Sequence, residues 1–183
     1  MLLHQKIKGL DDFFKRLSER KPKGVYFYRI NSYDEVILEF IRKYYQLAKR
    51  EGAIIDTNIE NPTAQNIAYF NEIIGDKYVH GPGFMAEALK KWLPRIRDYQ
   101  RASIADGIYD TLEVLRRQGK NVDILKNNFI RIMCWLYYNF YNIMEKLGSD
   151  EIPKIIFWGN VNFPELSTLK ILSNAGADII LVQ

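Results

Sequence analysis

The sequence predicts a helix-rich α/β fold: a small, mainly parallel sheet with helices packed around it and a central helical-bundle segment. Three observations carry that expectation. Short β-branched and aromatic runs alternate with amphipathic helical runs over residues 25–74, and the same alternation returns over residues 154–182. Between them, residues 84–147 show helical periodicity alone. The strand, helix, strand order favours parallel pairing, because right-handed crossovers lay each helix on a face of the sheet.

Leu10, Phe13, Phe14 and Leu17 recur at helical spacing, so residues 10–19 read as a short amphipathic helix stopped by Lys21-Pro22-Lys23-Gly24. Val25-Tyr26-Phe27-Tyr28-Arg29-Ile30 reads as a strand running into the Asn31-Ser32 turn. Ser32 and Glu35 have the spacing of a capping box, which predicts a helix over 33–50 with Val36, Ile37, Phe40, Ile41, Tyr44 and Leu47 on its buried face. Gly52 ends it. Ala53-Ile54-Ile55-Asp56 is a second short strand, and Asn61-Pro62 supplies the cap and first-turn proline of a helix that stops at Gly75. After the His80-Gly81-Pro82-Gly83 break, Phe84, Met85, Ala88, Leu89 and Trp92 form one stripe. Pro94 kinks or restarts this helix, which then runs towards Gln118. Residues 122–147 read as one further helix, whose wide apolar stripe places it at the centre of a bundle.

The closing residues form a compact βαβ unit: strand Lys154-Ile155-Ile156-Phe157-Trp158, turn Gly159-Asn160, a helix over 164–174 capped by Asn162, and strand Asp178-Ile179-Ile180-Leu181-Val182 after Gly176. These strands have few alternating polar positions, as burial on both faces requires. Residues 1–148 are therefore expected to form a helix-rich α/β region. Residues 149–183 either begin a larger α/β domain or join the same sheet. Ending on a buried strand predicts a longer parent chain or a protein partner that covers the open edge.

Composition excludes several function classes. At 183 residues and 26% charged, the chain is long and apolar enough to fold without staples, and neither disorder nor a membrane span fits it. The most apolar segment, 129–143, is interrupted by Arg131, Asn139 and Asn142 and falls short of the roughly 20 apolar residues a bilayer crossing needs. Lys6 and Lys8 follow Leu2 and Leu3 too closely for a signal peptide, so the protein is expected to be cytoplasmic. One cysteine, Cys134, and two histidines, His4 and His80, leave no set for a thiolate or histidine-rich metal site, and no metal or cofactor is assigned. The net charge of +4 divides unevenly, +6 in residues 1–50 and −2 in the rest. Much of the excess is Lys15, Arg16, Arg20, Lys21 and Lys23, where a helix end suits cations without a partner.

Candidate site residues fall in three places. Gly159, Asn160 and Asn162 sit where a strand hands over to a helix, so free amides and the helix dipole there suit a nucleotide-like small molecule, although Glu165 opposes an anion. Turn and cap chemistry explains the same residues. Asp56 and Asn58 lie at the corresponding end of another strand. Lys90, Arg97 and Arg101, spaced i, i+7 and i+11, form an anion patch if Pro94 only bends its helix; a solvated face is the alternative. Asp106, Asp110 and Glu113 make an acidic stripe with Arg117 as an ion-pair partner, and His80 reads as a loop residue making one hydrogen bond. Tyr26, Tyr28 and Arg29 mimic a nucleic-acid stacking platform, but core packing with Ile30 accounts for Tyr26 and Tyr28, and +4 is a modest charge for a phosphate-backbone binder.

Ile155-Ile156-Phe157-Trp158-Gly159-Asn160 followed by Glu165, then Leu169, Leu172 and Gly176-Ala177-Asp178-Ile179-Ile180-Leu181, together with Asn61-Pro62-Thr63 opening a helix, resemble the YceG-like bacterial proteins. The resemblance implies a component of a biosynthetic module associated with tellurite-resistance and stress-response operons. Family members are longer, so it also implies the amino-terminal portion of such a protein. It brings no catalytic residues. The expected function is thus a binding or assembly domain of a stress-response system. The alternatives are a fragment of a nucleotide- or sugar-nucleotide-binding enzyme completed beyond Gln183, or a nucleic-acid binder acting through the basic first 50 residues.

Overall fold

The computed structural model describes residues 8–183; His4, and Leu2, Leu3 and Lys6 of the residues weighed against a signal peptide, lie outside them. Strands β1 (Phe27–Ile30), β2 (Ala53–Asp56), β3 (Lys154–Trp158) and β4 (Asp178–Val182) form one four-stranded sheet in the order β1-β4-β3-β2. Every pairing is parallel, and the long register β3–β4 runs from Lys154 opposite Asp178 to Trp158 opposite Val182. The closing βαβ unit therefore supplies the centre of the sheet, while the two early strands flank it. Helix α1 (Glu35–Glu51) carries the chain across from one edge strand to the other.

The two faces of the sheet bury different helices. On one, Phe40, Ile41, Tyr44 and Ala48 of α1 pack with Phe13 against Tyr26, Ile30, Ile156 and Ile180. On the other, Ile155, Phe157, Ile179 and Leu181 meet the main core. That core is built by α2 (Ala64–Ile74), α3 (Pro82–Trp92), α4 (Asp98–Arg117), α5 (Val122–Tyr138), α6 (Tyr141–Met144) and α7 (Phe163–Ala175). The central strands are apolar at consecutive positions because both of their faces are covered. Gly52 is obligatory for this layering, since a Cβ there would lie 1.6 Å from the carbonyl oxygen of Lys154.

Several expected elements differ in detail. Residues 10–19 form two short 3₁₀ turns, Leu10–Phe14 and Leu17–Glu19, because only Phe13 finds a deep apolar seat and no long face is buried. Asp34, not Ser32, caps α1, accepting from the Ile37 amide at 2.9 Å; Val36 is consequently exposed and Leu47 half-buried. Thr63, not Asn61, caps α2, in a reciprocal box with Asn66. Pro94 does not merely bend a helix: α3 stops at Trp92 and α4 starts at Asp98. The single helix expected over 122–147 breaks at Asn139 and Phe140, where the Phe140 amide bonds Trp135 instead of continuing the ladder. None of the helices among the described residues is long and apolar enough to cross a membrane.

At the amino ends of the central strands lies a buried ionic cluster. Asp178 is fully enclosed; Arg20 donates to both of its oxygens at 2.8 and 2.5 Å, and Lys154 Nζ donates at 2.6 Å. The Tyr26 amide also donates to Asp178, and the Tyr44 hydroxyl donates to its carbonyl. Arg20, expected among solvated cations at a helix end, is instead locked inside with its guanidinium 4.3 Å from the Tyr26 ring centre. Burial lowers the Lys154 ammonium below the usual lysine range, against the pull of Asp178.

Candidate functional site at the carboxyl edge of the sheet

In an open parallel sheet the strand carboxyl ends form the natural ligand crevice, at the place where connections depart to opposite faces. Here the chain leaves β1 for the α1 face and leaves β3 for the α7 face, with β4 between them. Four strand ends meet at this edge and are tied by hydrogen bonds. The Gln183 amide donates to Ile30 O at 3.0 Å, and the Gln183 side chain donates to Gly159 O at 3.1 Å. The Tyr33 hydroxyl donates to Gln183 O at 2.9 Å, the Gly159 amide to Val182 O at 2.8 Å, and the Thr57 amide to Trp158 O at 3.0 Å.

Backbone conformation at this edge is unusual. Gly159 has φ +98°, which a glycine adopts at little cost. Thr57, in the neighbouring strand-end loop, has φ +73°, a region that is a genuine outlier for a β-branched side chain. Such outliers cost about 1–3 kcal/mol and persist where the surroundings over-determine them, typically at binding loops. The Thr57 hydroxyl donates to the Asn58 side chain, which stiffens the loop further.

Electrostatics decide what this edge accepts. Asn162 caps α7 by accepting from the Glu165 amide at 3.0 Å. Glu165 is fully buried; one of its oxygens accepts from the Asn162 amide and the other from the Ile59 amide, each at 2.9 Å. The positive end of the α7 dipole is therefore already complemented by the protein's own carboxylate. Exposed near the strand ends, with no side-chain hydrogen bond or ion pair among the described residues, are the neutral Asn31, Ser32 and Asn160, the acidic Asp56 and the basic Arg29. The three neutral side chains match hydroxyl and amide groups. Of the three residues read from sequence in this loop, Gly159 shapes the turn, Asn162 caps the helix, and Asn160 faces solvent with no hydrogen bond among the described residues.

Other sequence candidates are dispersed. Lys90 belongs to α3, Arg97 to the turn before α4 and Arg101 to α4, so no continuous helix aligns them. Arg101 donates to Asp98 at 2.5 Å and to the Ile96 carbonyl. Tyr26 lies in the core beside Phe13, 5.0 Å between ring centres, and offers no stacking face to a nucleic acid. Cys134 is buried, which pushes its thiol up to about 12 and keeps it protonated.

One constellation escaped the sequence reading. His80 Nε2 lies 2.7 Å from Glu113 and its Nδ1 lies 2.9 Å from the Tyr78 hydroxyl. Arg116 and His80 hold the Glu113 carboxyl down to about 2, so it is an acceptor only and the His80 Nε2 facing it carries a proton. The arrangement has the form of a proton relay, yet the hollow that Tyr78 lines measures about 10 Å³, too small for a substrate. Its work is to pin the loop between α2 and α3 to α4. No sequence signal marks the pairing, because 33 residues separate His80 from Glu113.

No curated protein and no solved structure matches the chain. The carboxyl-edge crevice and the helices beneath it lie on a sequence that matches the YceG domain from residue 6 to residue 183, and the chain belongs to that family.

Proposed function

We propose that this YceG domain is a binding domain of a bacterial stress-response biosynthetic system of the tellurite-resistance type, and that its small-molecule site is the carboxyl edge of the sheet. The observation that supports this reading is the meeting of four strand ends around the unpaired side chains of Asn31, Ser32 and Asn160, with Thr57 held in a strained conformation beside Gly159. Because Glu165 fills the α7 dipole, the ligand presents hydroxyl and amide groups to Asn160 and Asn31, as the sugar or base of a nucleotide or sugar nucleotide does. Thermal-shift titration with free sugars, nucleosides and sugar nucleotides tests it. Binding to the native state at a hundredfold excess over Kd adds about 2.7 kcal/mol to stability. Asn160→Ala abolishes that response while leaving the unliganded melting temperature in place; a panel without any stabiliser, or a response indifferent to Asn160→Ala, overturns the reading.

An assembly role is favoured by a separate observation. Val114, Phe163 and Leu166 are exposed along a groove of about 230 Å³ between α4 and α7. Apolar side chains gathered in this way mark partner surfaces more than scattered ones do. Recovery of a stoichiometric partner from the native host with the wild-type chain, and its loss with Leu166→Glu, is the expected result. Recovery of the chain alone refutes it.

A further inference from the structure

Away from the sheet, the helices enclose a cleft of about 270 Å³ that the carboxyl-edge reading does not use. It lies where two helices are interrupted. The 93–97 turn between α3 and α4 forms one wall, and the end of α5 with α6 forms the other. Both interruptions thus open onto the same space.

Aromatic rings dominate that space. Tyr69 stands 5.6 Å from Trp92, Trp92 stands 4.6 Å from Tyr137, and Tyr137 stands 5.6 Å from Tyr141, measured between ring centres. Trp92 forms a floor only 3% exposed, whereas Tyr69 and Tyr141 are each 42% exposed. The Trp92 indole N–H is spent on the Met133 carbonyl at 2.8 Å, so the indole offers the cleft its ring and no donor. At the mouth, Arg95 is 3.8 Å from Glu145 with both side chains solvated, and Lys91 has no ion-pair partner among the described residues. The rim is net positive.

We propose that this cleft is a binding site for a planar aromatic anion: one or two fused rings stacked on Tyr141 and meeting Tyr137 at an angle, as those two rings lie 61° apart, with a phosphate or carboxylate held by Lys91 and Arg95. The volume falls just below the roughly 300 Å³ at which pockets for drug-sized ligands begin, which restricts the ring system to that size. Ring faces alone attract a quaternary ammonium equally well, but Lys91 and Arg95 repel it. Asn160 plays no part here, so the two sites separate by mutation.

Calorimetric titration with adenosine monophosphate and 4-hydroxybenzoate tests the assignment and distinguishes a nucleotide from a simple aromatic acid as the source of the shared chemistry. Either binding tightly, with ribose 5-phosphate, adenosine and choline each at least tenfold weaker, supports it. Tyr141→Ala removes an exposed ring and weakens binding roughly tenfold to a hundredfold, as loss of one stacking partner does; Lys91→Gln weakens it and flattens its salt dependence, and Asn160→Ala changes nothing. Failure of both aromatic anions at millimolar concentration, choline or ribose 5-phosphate binding as well as they do, or a Tyr141→Ala protein that folds and binds normally, overturns it.

Discussion

The two ends of one sheet use polar side chains in opposite ways. At the amino ends, Arg20, Lys154 and Asp178 are sealed from water and paired with one another, with only Arg20 Nε of the three side chains left without an acceptor. At the carboxyl ends, Asn31, Ser32, Asp56 and Asn160 stand in water without partners, beside a strained Thr57. Charge at the closed end is a matter of folding, because leaving a buried ion unpaired is costly. Unpaired polarity at the open end is a matter of recognition, because nothing in the fold consumes it. The contrast teaches that burial and pairing, more than residue type, separate a structural polar group from one available to a ligand.

Mutation at the closed end has the largest effect. Asp178→Ala leaves two cations buried without their counter-ion and is expected to lower unfolding free energy by about 3–5 kcal/mol in urea titration. Lys154→Met removes only the ion whose burial is already unfavourable and keeps the Arg20 pair, so it costs much less. Equal losses would break the distinction. Glu165→Ala sits between the two regimes. It strands the buried Ile59 amide, for about 1–3 kcal/mol, and tests whether the open end also has a closed foundation.

The pH dependence of the Glu113 group comes next. Its folded-state pKa, about 2, is depressed from the ordinary 4.5, so its stabilising contribution is full above the unfolded value and is lost as pH falls from about 4.5 towards 2. Glu113→Gln should flatten that part of an acid-unfolding curve. An unchanged profile would show that Arg116 and His80 do not hold the carboxylate in solution. Asn160→Ala is expected to be the mildest, within about 0.5 kcal/mol of wild type by urea titration. A larger loss would mean that the open end is structural after all.

Much of the sheet was legible from local pattern, and the reasons are specific. Residues 155–158 and 179–182 are continuous apolar runs, each preceded by one charged residue and bracketed by Pro153, Gly159 and Gly176, and the strands occupy 154–158 and 178–182. Asn162 was readable as a cap because proline and glutamate follow it at helix-start spacing. The α1 cap was not, since Ser32 and Asp34 are both capping types two residues apart and only tertiary packing chooses between them. The 3₁₀ turns were misread because spacing alone does not show whether a long face has anything to pack on. Arg20 was unreadable for a different reason: its partner is 158 residues away. At the open end, sequence located Gly159, Asn160 and Asn162 but not Tyr33 or Gln183, whose roles arise only from strand order.

Strand order has a consequence for how the molecule is made. The outer ribbons, β1 and β2, are synthesised about a hundred residues or more before the inner pair that holds them, so neither has a neighbour to zip to until residues 154–182 leave the ribosome. Contacts so distant in the chain close slowly, and unpaired strands are exposed to aggregation meanwhile. The helices over 64–144 follow one another through short loops, so their mutual contacts span less chain and close sooner than those that complete the sheet.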